Sequence, residues 1–130
     1  VKIRDVRPSS LSQERLFSGN LAYDGFLRGE PVAEEDIPAR PDFALVYRFI
    51  REDGGFRGEP DILFGRITGA NKDTAMNSCR MRLCIDVMEE LGLVGSVYDG
   101  RRITVTLKTP AEKVDIERSQ LLGRLHKGNI

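Results

Sequence analysis

Apolar positions fall into clearest register between Asn71 and Leu107. Met76, Cys79, Leu83, Val87 and Leu91 recur every three or four residues, with Cys84 and Met88 beside them. That spacing lays one apolar stripe along an α-helix. Asn71 or Asp73 is placed to cap its start, and Gly92 to end it. Beyond the glycine the period changes to two. Arg102-Ile103-Thr104-Val105-Thr106-Leu107 alternates polar and apolar and faces Leu93 to Tyr98 across Asp99-Gly100. A hairpin turning on that dipeptide is predicted.

Two shorter helices precede this run. Phe43, Val46, Tyr47 and Ile50 stand at i, i+3, i+4 and i+7, predicting a helix over 43–51, capped by Asp42 and ended by Asp53-Gly54-Gly55. An extended piece at Gly55-Phe56-Arg57 leads to Glu59-Pro60-Asp61, a helix start with an early proline. Ile62, Leu63 and Ile67 are expected on its inner side, and Gly69 at its end. After Pro110, Asp115 is read as the cap of a last helix from Ile116 to Leu125, with Ile116, Leu121, Leu122 and Leu125 on its apolar side. Three helices, a hairpin and a packing helix define a mainly α, α+β domain over residues 41–130. A long helix running straight into a two-stranded wing is how winged-helix domains close. Before residue 41 the signals are thinner. Val1 to Val6 alternates like a strand without a nearby partner, and a short helix fits Ser10 to Phe17. Glu34-Glu35-Asp36-Ile37-Pro38 reads as an acidic linker, with a domain boundary near Pro38 to Pro41.

Charge changes this picture little. Twenty basic residues balance twenty acidic ones, so affinity for a polyanion must come from a local patch. No apolar run reaches the roughly 20 residues that span a bilayer, and no signal-peptide pattern appears. A cytoplasmic protein with no membrane contact is expected. Cys79 and Cys84 are its two cysteines. Five residues apart on one helix they diverge by about 140°, so reduced thiols are expected rather than a disulfide. The single histidine, His126, lies far from both, which argues against zinc.

No catalytic constellation is visible. No nucleophile stands beside an oriented base, and the glycines match neither a phosphate loop nor a dinucleotide fingerprint. Glu34, Glu35 and Asp36 have the chemistry for a divalent cation, but a solvated linker explains them more simply. No catalytic residue, metal ligand or cofactor is therefore assigned within these residues. The candidate surface is the long helix and the wing: Lys72, Asn77, Arg80 and Arg82 near the start of the helix, Arg101 and Arg102 at the wing tip, and Lys108 after it. These types suit phosphate or base-edge contacts. Their bland alternative is a solvated helix with Arg82 paired to Asp86 four residues on. Glu89 and Glu90 would repel a phosphate at the far end. Nucleic-acid contact, docking on protein and a purely structural role all stay open.

Three stretches carry a resemblance. Lys113-Val114-Asp115-Ile116-Glu117-Arg118-Ser119-Gln120-Leu121, Asp42 to Ile50, and Glu89-Glu90-Leu91-Gly92-Leu93 together resemble the C-terminal end of bacterial RecJ-type single-stranded-DNA-specific exonucleases. The opening Val1 to Arg7 looks like the last strand of the OB-fold domain that precedes this region there. The resemblance implies a parent enzyme degrading single-stranded DNA 5′ to 3′ in recombination and repair, with manganese or magnesium at a catalytic core. None of that core's motifs lies in this chain. What it implies here is an accessory domain that steers single-stranded DNA, docks on its own catalytic core, or binds single-stranded-DNA-binding protein. A winged-helix DNA-binding module of a replication or transcription factor is the alternative, and a protein-docking module without nucleic-acid affinity a third.

Overall fold

The computed structural model describes residues 20–108 and 115–127. The expected strand at residues 1–6 and helix at residues 10–17 lie outside them. The described chain is mixed α+β. It holds five α-helices: α1 (Leu21–Leu27), α2 (Arg40–Asp53), α3 (Pro60–Ala70), α4 (Ser78–Glu90) and α5 (Gln120–Lys127). Its strands are β1 (Gly55–Gly58), β2 (Val94–Asp99) and β3 (Arg102–Leu107), an antiparallel sheet in the order β1-β3-β2. Single 3₁₀ turns occupy Glu34–Asp36 and Ile116–Arg118.

Helix α2 buries Phe43, Val46, Tyr47 and Ile50, the four residues of its predicted stripe. It begins earlier than expected. Asp42 is not the N-cap but lies three residues in, reaching back so that Oδ2 accepts the Ala39 N–H at 2.8 Å. Helix α3 starts on Pro60 and buries Leu63 and Ile67. Ile62 was expected beside them but is 51% exposed, because it falls off their i, i+4 face.

Helix α4 departs most from its sequence reading. Residues 71–77 are not helical. Asn77 is the N-cap, its Oδ1 accepting the Arg80 N–H at 2.9 Å, so neither Asn71 nor Asp73 caps it. Every residue from Met81 to Met88 is buried. The helix is the spine of the molecule, not an amphipathic rod with one wet side. It ends as expected: the Leu93 N–H reaches the Met88 carbonyl at 2.9 Å and the Gly92 N–H reaches Glu89 at 3.1 Å. These two bonds form the paired C-terminal cap that a left-handed residue permits, and Gly92 has φ +79°.

The hairpin is present with its turn one residue later than read. Asp99 pairs with Arg102, so Gly100 and Arg101 are the two loop residues. Gly100 takes φ +61° and no described non-glycine residue is positive, which fits a turn that needs glycine at its first central position. The extended piece at 55–57 becomes β1, in register with β3 from Gly55↔Thr106 to Gly58↔Ile103. Phe56, Ser96, Ile103 and Val105 turn inward onto the helices.

Within the stretch expected to be an acidic linker, Ile37 and Pro38 are buried. Ile37 joins Tyr23, Phe26, Leu27 and Val32, which precede that stretch, in the same buried cluster as α2, α4 and the sheet. Pro38 to Pro41, where a boundary was expected, leads into the start of α2. Apolar residues at 23, 26 and 27 are spaced for a helix face, and burying them outweighs the glycines that interrupt the segment. At the other end, Asp115 makes no side-chain cap. Ser119 does, its Oγ accepting the Leu122 N–H at 3.0 Å. Ile116, Leu121, Leu122 and Leu125 are buried as expected.

Candidate functional site

The residues singled out from sequence divide into two groups that lie in different environments. The first group, on α4, is used inside the molecule. Asn77 spends its side-chain amide on the acidic turn before α2, donating from Nδ2 to Asp36 Oδ1 at 2.9 Å and to the Glu35 carbonyl at 3.2 Å. Arg80 donates from Nε to that same Glu35 carbonyl, and its Nη1 stands 3.8 Å from Asp42 Oδ2. The acidic turn that looked like a solvated linker thus covers the start of α4.

Arg82 is enclosed more completely, at 1% exposure. A guanidinium never loses its charge in a protein, so burying it requires donors matched by acceptors. Its Nε donates to Ser78 Oγ at 3.2 Å and its Nη2 to Asp61 Oδ1 at 3.0 Å, while Ser78 itself donates to the other side of this triangle, Asp61 Oδ1, at 2.9 Å. Its flat face lies over the Tyr23 ring, 5.8 Å from the centroid. The Tyr23 hydroxyl then donates to Asp86 Oδ2 at 2.6 Å. From sequence, Arg82 is a candidate surface contact or, as the alternative, half of a solvated pair with Asp86. Both are buried, and α1 lies where their solvated face would be.

The two glutamates at the end of α4 also serve the fold. Glu89 accepts the Ser96 N–H at 3.1 Å and the Ser96 hydroxyl at 2.9 Å, tying α4 to β2. Glu90 accepts the Ser119 hydroxyl at 2.6 Å and the N–H groups of Gln120 and Leu121 at 3.1 and 3.2 Å. A carboxylate at a helix N-terminus satisfies orphan donors and meets the positive end of the dipole.

The second group is exposed. Lys72 sits in the turn between α3 and α4, Arg101 and Arg102 at the hairpin tip, and Lys108 just past β3. Antiparallel pairing puts opposed residues on one face, so the outward positions of the sheet are Gly55, Arg57, Gly95, Val97, Asp99, Arg102, Thr104 and Thr106. Lys108 joins them, because its Cε lies 2.9 Å from where a Cβ on Gly95 would stand. Arg57 was not among the sequence candidates. Its signal was there: if Phe56 points inward on a strand, Arg57 must point out beside the wing.

The cysteines are inert. Burial pushes the Cys79 thiol up to about 12, with Asp36 adding to the effect, and pushes Cys84 well above its usual value, again mainly by desolvation. Among the described residues no group of three or more His, Cys, Asp or Glu side chains could hold a metal ion. No described helix is long and apolar enough to cross a membrane. Comparison with protein-family models, curated proteins and solved structures returned no match.

Proposed function

We propose that this chain is a winged-helix-like, non-catalytic accessory domain from the C-terminal end of a RecJ-type single-stranded-DNA exonuclease, acting in the cytoplasm in recombination and repair. Two of the stretches that carry the resemblance meet in space, and that observation carries the reading. Glu90, from Glu89-Glu90-Leu91-Gly92-Leu93, receives Ser119, Gln120 and Leu121 from the tail run that ends at Leu121. Residues that would otherwise be unrelated matches are halves of one docking joint. The order helix, strand, helix, helix, hairpin, with the sheet arranged β1-β3-β2, supports the winged-helix part of the reading.

The internal use of Asn77, Arg80 and Arg82 weighs against the alternative of a transcription-factor-type module. Such modules read base edges with the start of the helix before the wing, and here an acidic turn and α1 lie on it. Chemistry would reside in a separate core with its manganese or magnesium, so no reaction step is drawn through this domain. The test is made on the complete gene product. A DHH-type core encoded upstream is expected. Its removal should abolish digestion of 5′-labelled single-stranded DNA, while removal of this domain should chiefly weaken DNA engagement. An upstream region without such a core would sink the proposal.

A further inference from the structure

We infer that the outer face of the sheet, centred on Arg57, Arg102 and Lys108, is a binding surface for the phosphate backbone of single-stranded DNA. The three cations come from β1, from β3 and from the chain just beyond β3. Pairing sets Arg57 opposite Thr104, two residues along β3 from Arg102. All three are exposed, and among the described residues none forms an ion pair. Asp99 is the single acid among the outward positions, so the face is cationic on a chain whose total charge is zero.

The rest of the face fits a backbone rather than a base or a peptide. Thr104 and Thr106 add hydroxyls between the cations, and Gly55 and Gly95 flank Thr106, with the Lys108 side chain lying across Gly95. No aromatic side chain points outward there, which removes the stacking platform of sequence-tolerant base binders and leaves phosphate and sugar contact. A peptide laid on a sheet gains specificity from pockets for alternate side chains. Val97, 68% exposed, is the one outward apolar residue of the three strands apart from glycine, and it stands proud of the surface. A polyphosphate ligand is inferred from this face alone. That it is single-stranded DNA rests on the exonuclease reading.

The experiment titrates the 130-residue chain into fluorescein-labelled oligo-dT and into a duplex of equal length, at several salt concentrations. The variant carries Arg57→Gln, Arg102→Gln and Lys108→Gln together. These side chains are exposed, so its thermal midpoint should match the parent's, which is checked first. The expected result is oligo-dT binding that weakens at least tenfold in the variant. The slope of log K against log salt should fall by about 2, as three single-strand phosphate contacts imply. Equal binding by variant and parent, no binding at low salt, or equally effective competition by poly-glutamate would each overturn the proposed face. Preference for duplex with the same dependence on the three residues would overturn the single-stranded assignment and speak against the exonuclease reading behind it.

Discussion

The polar residues of α4 are where charge chemistry and fold meet most directly. The Tyr23 hydroxyl gives Asp86 a buried donor at 2.6 Å. Tyr23→Phe should lower stability by about 1–3 kcal/mol, the cost of leaving a buried acceptor short of a partner, as read by urea unfolding. Arg80→Ala is expected to destabilise on the same scale, since the Glu35 carbonyl and Asp42 both lose it. A change under about 0.5 kcal/mol would mark Arg80 as an ordinary surface residue instead. The cysteines give a pH prediction. Their folded values lie above the ordinary 9.0, so the unfolded chain releases protons first as pH rises. Their contribution is complete below pH 9 and declines above it, toward 12 for Cys79. Urea midpoints should therefore fall between pH 9 and 10.5, and a Cys79→Ala/Cys84→Ala variant should lose less over that interval. At this scale the sequence was half legible. Apolar periodicity located Phe43, Val46, Tyr47 and Ile50, because burial of such side chains dominates a helix's orientation. Arg82 and Asp86 were misplaced because their spacing of four also suits an exposed pair, and their partners Tyr23 and Asp61 lie far away in sequence.

Elements were legible where their ends are set locally. Gly92 and the hairpin depend on residues within a few positions, and both are present. Caps supplied from a distance were invisible: Glu90 holds the start of α5 from thirty residues upstream. Glu90→Ala should cost about 0.5–2 kcal/mol, as loss of a helix cap does. Hydrogen exchange should localise the effect, with Leu121 and Leu122 amides exchanging faster and β3 amides unchanged. Equal acceleration throughout would show that α5 is not docked by that carboxylate. The link from α2 into β1 is tight in another way. Gly55 has φ +132°, and a Cβ there would stand 2.7 Å from the Val105 carbonyl oxygen. That oxygen is fixed by the backbone of β3, so Gly55→Ala should destabilise by about 1–3 kcal/mol or displace β1 from the sheet. The melting temperature and the Phe56 amide shift report which.

For the whole molecule, the decisive feature is that α4 is surrounded. Helix α1 and the acidic turn pack on one side, α2 and α3 on others, and the sheet beyond. Only the tertiary arrangement could reveal this. The segment from Asn20 to Pro38 carries glycines and a cluster of acids, features shared by true linkers, and its few apolar anchors gain their meaning from the helix they cover. The functional consequence is a shift of the candidate contact from the helix to the wing. That shift requires α1 to be part of the same folded unit as α4. Native-state hydrogen exchange in increasing urea measures this directly. The Phe26 and Leu27 amides of α1 should open with the same free energy, and the same urea dependence, as Leu83 and Val87 of α4. Opening of α1 at near-zero free energy, while α4 keeps its full protection, would contradict this and return the helix face to the surface.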